Sequence, residues 1–177
     1  MLKKILIAVA ALVVLFLAFV VMQPNEFRVS RSLKIDAPAA DIFPYVNNQS
    51  KWAKWSPWLK LDPKMQTFFE GEVEGVGSVY KWSGNKDAGK GTSTIVESKA
   101  NQFVKFKLDF EEPMKGTSTS EFIFAPESDK ATIVTWTIYG ENNFAAKLMG
   151  LIYNCEESVG GMFEEGLNNL KTVSEKK

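Results

Sequence analysis

The sequence predicts an α+β domain: a curved, seven-stranded antiparallel sheet wrapped on one long C-terminal helix, with two short helices after the first strand and one transmembrane helix before it. Three observations carry this reading. Residues 5–22 are apolar without interruption. Segments alternating with period two then recur from residue 27 to residue 139, separated by turn-rich breaks. Beyond Gly140 the apolar spacing changes to three and four residues.

The first element is the apolar run. Eighteen helical residues rise roughly 27 Å, against a hydrocarbon core of about 30 Å. A cleavable secretion signal has a shorter apolar region, about 7–15 residues, and a small-residue cleavage site. The exit here reads Phe19, Val20, Val21, Met22, Gln23, Pro24, which has no such site. Lipidation of a cysteine at this end is excluded, because the single cysteine is Cys155. Residues 1–22 are therefore expected to be an uncleaved single-pass anchor, 23–26 a short tether and 27–177 the domain. Lys3 and Lys4 precede the span, and Arg28, Arg31 and Lys34 follow it, so the positive flanks nearly balance. A short basic N-terminal tail ordinarily stays in the cytoplasm, and the domain is expected on the extracytoplasmic side.

The first strand covers 27–35, where Phe27, Val29, Arg31, Leu33 and Ile35 alternate with Arg28, Ser30, Ser32 and Lys34. Pro38 is placed to open a short helix, with Asp41 in its first turn and Pro44 weakening it. A second helical piece over 50–55 stops before Pro57. Six strands follow near 65–72, 77–83, 90–98, 102–110, 117–125 and 131–139. Val104, Phe106, Leu108 and Phe110 share one face, as do Thr132, Val134, Trp136 and Ile138. Phe144, Leu148, Leu151, Cys155, Val159, Met162, Gly166 and Leu170 then mark one amphipathic helix over 143–173, opened by Asn142 or Asn143. A bend is expected at Gly160 and Gly161, since glycine costs about 1 kcal/mol against alanine inside a helix. Cys155 falls on the apolar stripe and reads as a small buried hydrophobe.

Composition excludes several function classes. The chain balances 21 Lys and Arg against 21 Asp and Glu, with no basic face of the kind nucleic acids require. It contains no histidine, which removes the commonest general base, the serine and cysteine triads and histidine metal ligation. One cysteine leaves no internal disulfide and no cysteine zinc site. No catalytic residue, metal site or cofactor is assigned from the sequence.

Four stretches together carry a resemblance. The first is residues 31–38, from Arg31 to Ile35, Asp36, Ala37 and Pro38, leading to Ile42 and Phe43. The second holds Trp52, Trp55, Pro57 and Trp58, with Asp62 and Pro63 soon after. The third runs from Gly75 and Gly77 through Tyr80, Trp82, Gly84 and Asn85 to Gly89 and Gly91. The fourth holds Gly160, Gly161, Phe163, Gly166, Leu167 and Leu170. In order and spacing they resemble the START-like (SRPBCC) superfamily of helix-grip proteins, which includes the birch-pollen-allergen and polyketide cyclase/dehydrase families. The resemblance implies an internal cavity for a lipid-like or aromatic molecule and fixes no reaction.

Candidate lining residues follow. Trp52, Trp55 and Trp58 share a helical face at spacing three, either at a pocket mouth or membrane interface, or packing the short helices onto the sheet. Tyr80, Trp82, Phe106, Phe110, Phe122 and Trp136 are expected to face the interior, and Phe144, Leu148 and Leu151 to close it from the helix. Glu70, Glu72 and Glu74 read as a solvated hairpin end, and Gly71, Gly75 and Gly77 lack the ending of a phosphate loop. Asn48 to Ser50 has the form of a glycosylation acceptor. The leading expectation is a membrane-tethered binder of a hydrophobic small molecule or lipid. One alternative is a cyclase/dehydratase-type enzyme using Glu70, Glu121, Tyr80 or Tyr139. The other is a non-enzymatic interaction module for an envelope protein.

Overall fold

In the computed structural model, which describes residues 1–176, the chain opens with helix α1, Leu2–Val21, long and apolar enough to cross a membrane. Only Val20 of this helix is buried. Strand β1, Glu26–Ile35, follows after four residues, then α2, Ala39–Asn47, and two 3₁₀ helices, Gln49–Lys54 and Pro57–Lys60. The remaining strands are β2 Gln66–Gly71, β3 Ser78–Ser83, β4 Lys90–Lys99, β5 Phe103–Glu112, β6 Gly116–Ser128 and β7 Ala131–Glu141. Helix α3, Phe144–Gly150, and helix α4, Cys155–Glu175, complete the chain.

All seven strands pair antiparallel in the order β1-β7-β6-β5-β4-β3-β2. Because β1 joins β7, the chain between β1 and β2 must cross the whole sheet. Helix α2 and the two 3₁₀ helices make this crossing on the inner face, with α2 against β6 and the first 3₁₀ helix against β3. Helix α4 lies over β1 and β7 on the same face, so the sheet grips it from one side.

Pro44 is tolerated inside α2. The carbonyls of Tyr45 and Val46, left without helical partners at the end of α2, accept the indole N–H groups of Trp55 (2.9 Å) and Trp52 (3.0 Å). The tryptophans thus replace hydrogen bonds that the short helix cannot make.

The expectation of one helix over 143–173 is not met. The chain breaks at 151–154, and two side-chain caps start the two helices separately: Asn143 Oδ1 accepts from Ala146 N (2.9 Å), and Asn154 Oδ1 from Glu157 N (3.2 Å). Helix α4 runs through Gly160 and Gly161 without a break. Gly160 instead makes room for Arg31, whose guanidinium occupies the place of a Cβ. The expectation for the Cys155 side chain falls outside the described residues.

Candidate functional site

The inner face is built from aromatic rings. Phe110 meets Trp82 edge-on (5.9 Å), Trp82 stacks on Tyr80 (6.0 Å), and Tyr80 meets Trp52 (5.8 Å). Trp52 touches Trp55 and Phe106 (5.8 and 5.3 Å). Trp55 then joins Phe122 and Trp136, and Trp136 stacks on Phe163 of α4 at 3.9 Å and 10°. Eight of the residues expected to line a cavity therefore form one continuous chain of rings, extended by Phe163, which the sequence analysis placed only within a motif.

The chain is tight at one end and loose at the other. Trp55, Phe106, Phe122 and Trp136 are buried, and the polar edge of Trp136 is satisfied by Ser120 Oγ (3.0 Å). Gly166 permits the close approach of α4, since a Cβ there would fall 2.7 Å from the Trp136 ring and 3.1 Å from Pro57. At the other end Trp82 and Phe110 are half-buried, and Phe69 of β2, which touches Tyr80 at 5.4 Å, is exposed. Trp58, also half-buried, packs against the core from the second 3₁₀ helix beside α4. Trp82 lies flat across Gly91, where a Cβ would stand 2.6 Å from its ring, and donates its N–H to Ala88 O (3.1 Å). The loose end is thus a partly exposed cluster of touching rings from β2, β3 and β5: Phe69, Tyr80, Trp82 and Phe110.

Gln49 fastens the crossing segment to strands β3 and β4 of the sheet. It is buried, donates to Ser93 Oγ (2.7 Å) and Ser93 O (3.3 Å), and accepts from Ser78 Oγ (3.2 Å). No periodic signal marks this glutamine in the sequence.

The ionisable groups are arranged differently. Tyr80 is buried among the inner-face rings, and burial pushes its phenol up to about 12, so it remains a neutral hydroxyl. Glu70, Glu121 and Tyr139 alternate with Phe69, Phe122 and Ile138 and lie on the outer face. There Glu70 pairs with Lys81 (2.7 Å), and Arg28 lies over the Tyr139 ring (5.1 Å). Three of the four residues considered for acid–base chemistry are therefore on the wrong side of the sheet for it. At the opposite end of the inner face, Arg31 bridges Glu164 (2.7 Å) and Glu156 (2.8 Å), first Glu164 and then Glu156 holding its charge above its ordinary range. Among the described residues, no group of three or more His, Cys, Asp or Glu side chains is placed to hold a metal ion.

Phe144, Leu148 and Leu151 are not brought to the ring chain. They lie on α3 and just after it, outside the core, with α3 against α1. Of the twelve residues expected to line a cavity, only Leu151 borders either of two surface clefts. One, of about 560 Å³, lies between the start of β1 and residues 150–154, and the other, of about 540 Å³, lies near Gln102 and Glu121.

The family described as "Polyketide cyclase / dehydrase and lipid transport" matches residues 26–175. No curated protein sequence matches the chain. Among solved structures, a protein of Chromobacterium violaceum is similar at 16% identity and a TM-score of 0.59, covering 87% of this chain and 100% of its own. A protein of Nitrosospira multiformis is similar at 15% and 0.60, covering 85% and 97%. The Aha1 dimer of Colwellia psychrerythraea is similar at 16% and 0.56, again covering 85% and 97%. At these identities the likeness is one of fold.

Proposed function

The chain belongs to the polyketide cyclase/dehydrase and lipid transport family, and from that premise we propose that it is a membrane-tethered binding protein for a hydrophobic small molecule or lipid. The observation that carries the reading is the asymmetry of the ring chain. A ligand enters at the loose end, between Tyr80, Trp82, Phe110 and the exposed Phe69, and the packed rings around Trp55 form the floor. The Tyr80 hydroxyl supplies one polar contact in an otherwise apolar slot, as ligand sites of this kind require. The outward placement of Glu70, Glu121 and Tyr139 favours binding over acid–base catalysis.

Helix α1 acts as the anchor. Four residues separate Val21 from Glu26, a reach of at most about 14–18 Å, so the domain is held against the bilayer beside a store of apolar ligands. The short basic tail at Lys3 and Lys4 remains in the cytoplasm and the domain lies outside it. Protease added to spheroplasts with an intact cytoplasmic membrane is expected to digest the domain, and survival of the domain until that membrane is opened would place it in the cytoplasm.

The binding reading is tested on a chain lacking residues 1–22, purified without detergent. Native mass spectrometry and lipid extraction are expected to reveal a bound apolar molecule, and a fluorescent fatty acid is expected to bind, weakened by Trp82→Ala. Finding no bound molecule and no uptake of the fatty acid sinks the proposal.

A further inference from the structure

Between β7 and α4 the chain makes a detour that the grip itself does not need. Residues 144–153, comprising α3 and the turn after it, contribute no side chain to the core. Phe144, Met149, Leu151, Ile152 and Tyr153 are all exposed, Ile152 at 82%. Water disfavours such a surface by about 25 cal/mol per Å² of apolar area, and contiguous exposed apolar patches mark contacts that are made elsewhere.

What covers this patch follows from its position. Helix α3 packs on α1, and Val20 is the one residue of α1 buried by the fold. Lys147 donates to Val21 O (2.9 Å) and Asn25 Oδ1 (2.6 Å), while Asn142 bonds Asn25 O (2.7 Å, through its backbone N–H) and Pro24 O (3.2 Å, through its side chain). These contacts place α3 alongside the last turn of the apolar helix and the tether that leaves it. One helical turn rises about 5.4 Å, so α3 stands at the level where the span leaves the hydrocarbon. Lys147 is the only charged residue within 144–153, and its ammonium is turned back onto the tether. No other charge holds the segment in water.

We propose that residues 144–153 form a second membrane contact, an interfacial insert lying in the lipid headgroup and upper acyl region beside the exit of α1. The inference rests on the reading of α1 as a span. The occupant of the patch is the bilayer surface itself: Ile152, Met149 and Phe144 enter the acyl boundary, and Tyr153 sits where aromatic rings with a polar tip are favoured. A single helix on a short tether would let the domain swivel. The insert fixes its tilt, and sets the cleft lined by Phe27, Leu151 and Ile152 against the lipid.

The test uses the full chain in liposomes of phosphatidylcholine and phosphatidylglycerol, with Cys155 replaced by serine. An environment-sensitive fluorophore is attached at Leu15→Cys, Ile152→Cys or Asp87→Cys, and lipids carrying a quencher near the headgroup or deep in the acyl chain are compared. The label at residue 152 is expected to shift to the blue and to be quenched at least about twofold more than that at residue 87, most strongly by the shallow quencher. The label at residue 15 should respond to the deep one. A label at 153 through Tyr153→Cys repeats the measurement should the first variant misfold by circular dichroism. Quenching at 15 while 152 and 153 behave like 87 overturns the insert and leaves the span standing. No quenching at 15 overturns the span and the insert with it.

Discussion

The guanidinium of Arg31 lies where a Cβ on residue 160 would have to be, and Gly160 is what allows α4 to close down on β1. Arg31 points to the inner face between the apolar Val29 and Leu33, and is satisfied there by Glu156 and Glu164 one helical turn to either side of the glycine. Glycine is thus kept at a position where helix propensity alone favours alanine.

Gly160→Ala is therefore expected to forfeit the stability that alanine would gain by helix propensity, about 1 kcal/mol. Displacing the guanidinium loosens its bonds to Glu156 and Glu164, so Gly160→Ala should be less stable than the matching change at Gly161. In an Arg31→Ala background the same change should become neutral or stabilising. Gly161 has open space around the position of a Cβ, and Gly161→Ala should stabilise by about 0.5–1 kcal/mol. Chemical denaturation of the four variants checks the set, and equal effects at both glycines in both backgrounds would contradict it.

Gln49→Leu probes the buried amide that pins the crossing segment. The swap keeps much of the volume but leaves the Ser78 and Ser93 hydroxyls without the amide that now bonds them. Unsatisfied buried polar groups cost about 1–3 kcal/mol each, and a loss of about 2–4 kcal/mol is expected. Adding Ser78→Ala and Ser93→Ala should recover part of it. Thermal melts of the single and triple variants measure this, and no recovery would mean that the bonds are not what the site contributes.

How far the sequence reveals these features depends on what each face of an element meets. Strands such as β5 and β7 carry one face against the core and one toward water, so Val104, Phe106 and Phe110, or Val134 and Trp136, announce both strand and orientation. The C-terminal helix misleads for the same reason. Phe144, Leu148 and Leu151 continue the spacing of Val159 and Met162, because hydropathy does not distinguish a residue facing the core from one lying beside α1. The break leaves a different trace, Asn154 followed three residues later by Glu157, the pattern of a capping box, where the side chains do meet at 3.3 Å. Gln49 leaves none, since a single polar residue acquires meaning only from the serines that two distant strands bring to it. That the inner aromatics touch one another, instead of standing apart around a space, depends on helix-to-sheet distance, which Gly91 and Gly166 set.

The proposed ligand site depends on Gly91 in a way that a substitution should expose. A methyl group there would stand 2.6 Å from the Trp82 ring and 2.7 Å from Asp109 O, so Gly91→Ala must lift the indole off the sheet and break its bond to Ala88. The variant is expected to bind the fluorescent fatty acid at least about tenfold more weakly, a change of about 1.4 kcal/mol, and to shift tryptophan emission to the red. Trp82→Phe, which keeps a ring in place without the N–H, should lose less. Unchanged binding in Gly91→Ala would remove Trp82 from the ligand site.

Tyr80 allows the proposed ligand site to be followed by pH. Burial raises its phenol from 10.0 to about 12 in the folded chain. The neutral form is the one the fold holds, so the contribution is fully present below pH 10, where the phenol is protonated folded and unfolded alike. Above pH 10 the unfolded chain gives up the proton and the folded chain does not, and stability falls until the pH passes about 12. Two pH units correspond to on the order of 2–3 kcal/mol. Lysines titrate in the same range, so the measurement is the difference between the natural chain and Tyr80→Phe, followed by urea denaturation from pH 9 to pH 12. The natural chain is expected to lose stability relative to the variant as pH rises through this window. A constant difference would show that the phenol is in contact with water, and would move the ligand's polar contact away from Tyr80. If a bound fatty acid covers the hydroxyl, the folded-state value rises further, so the loss should still begin near pH 10 but continue to higher pH, which links the titration to occupancy of the proposed site.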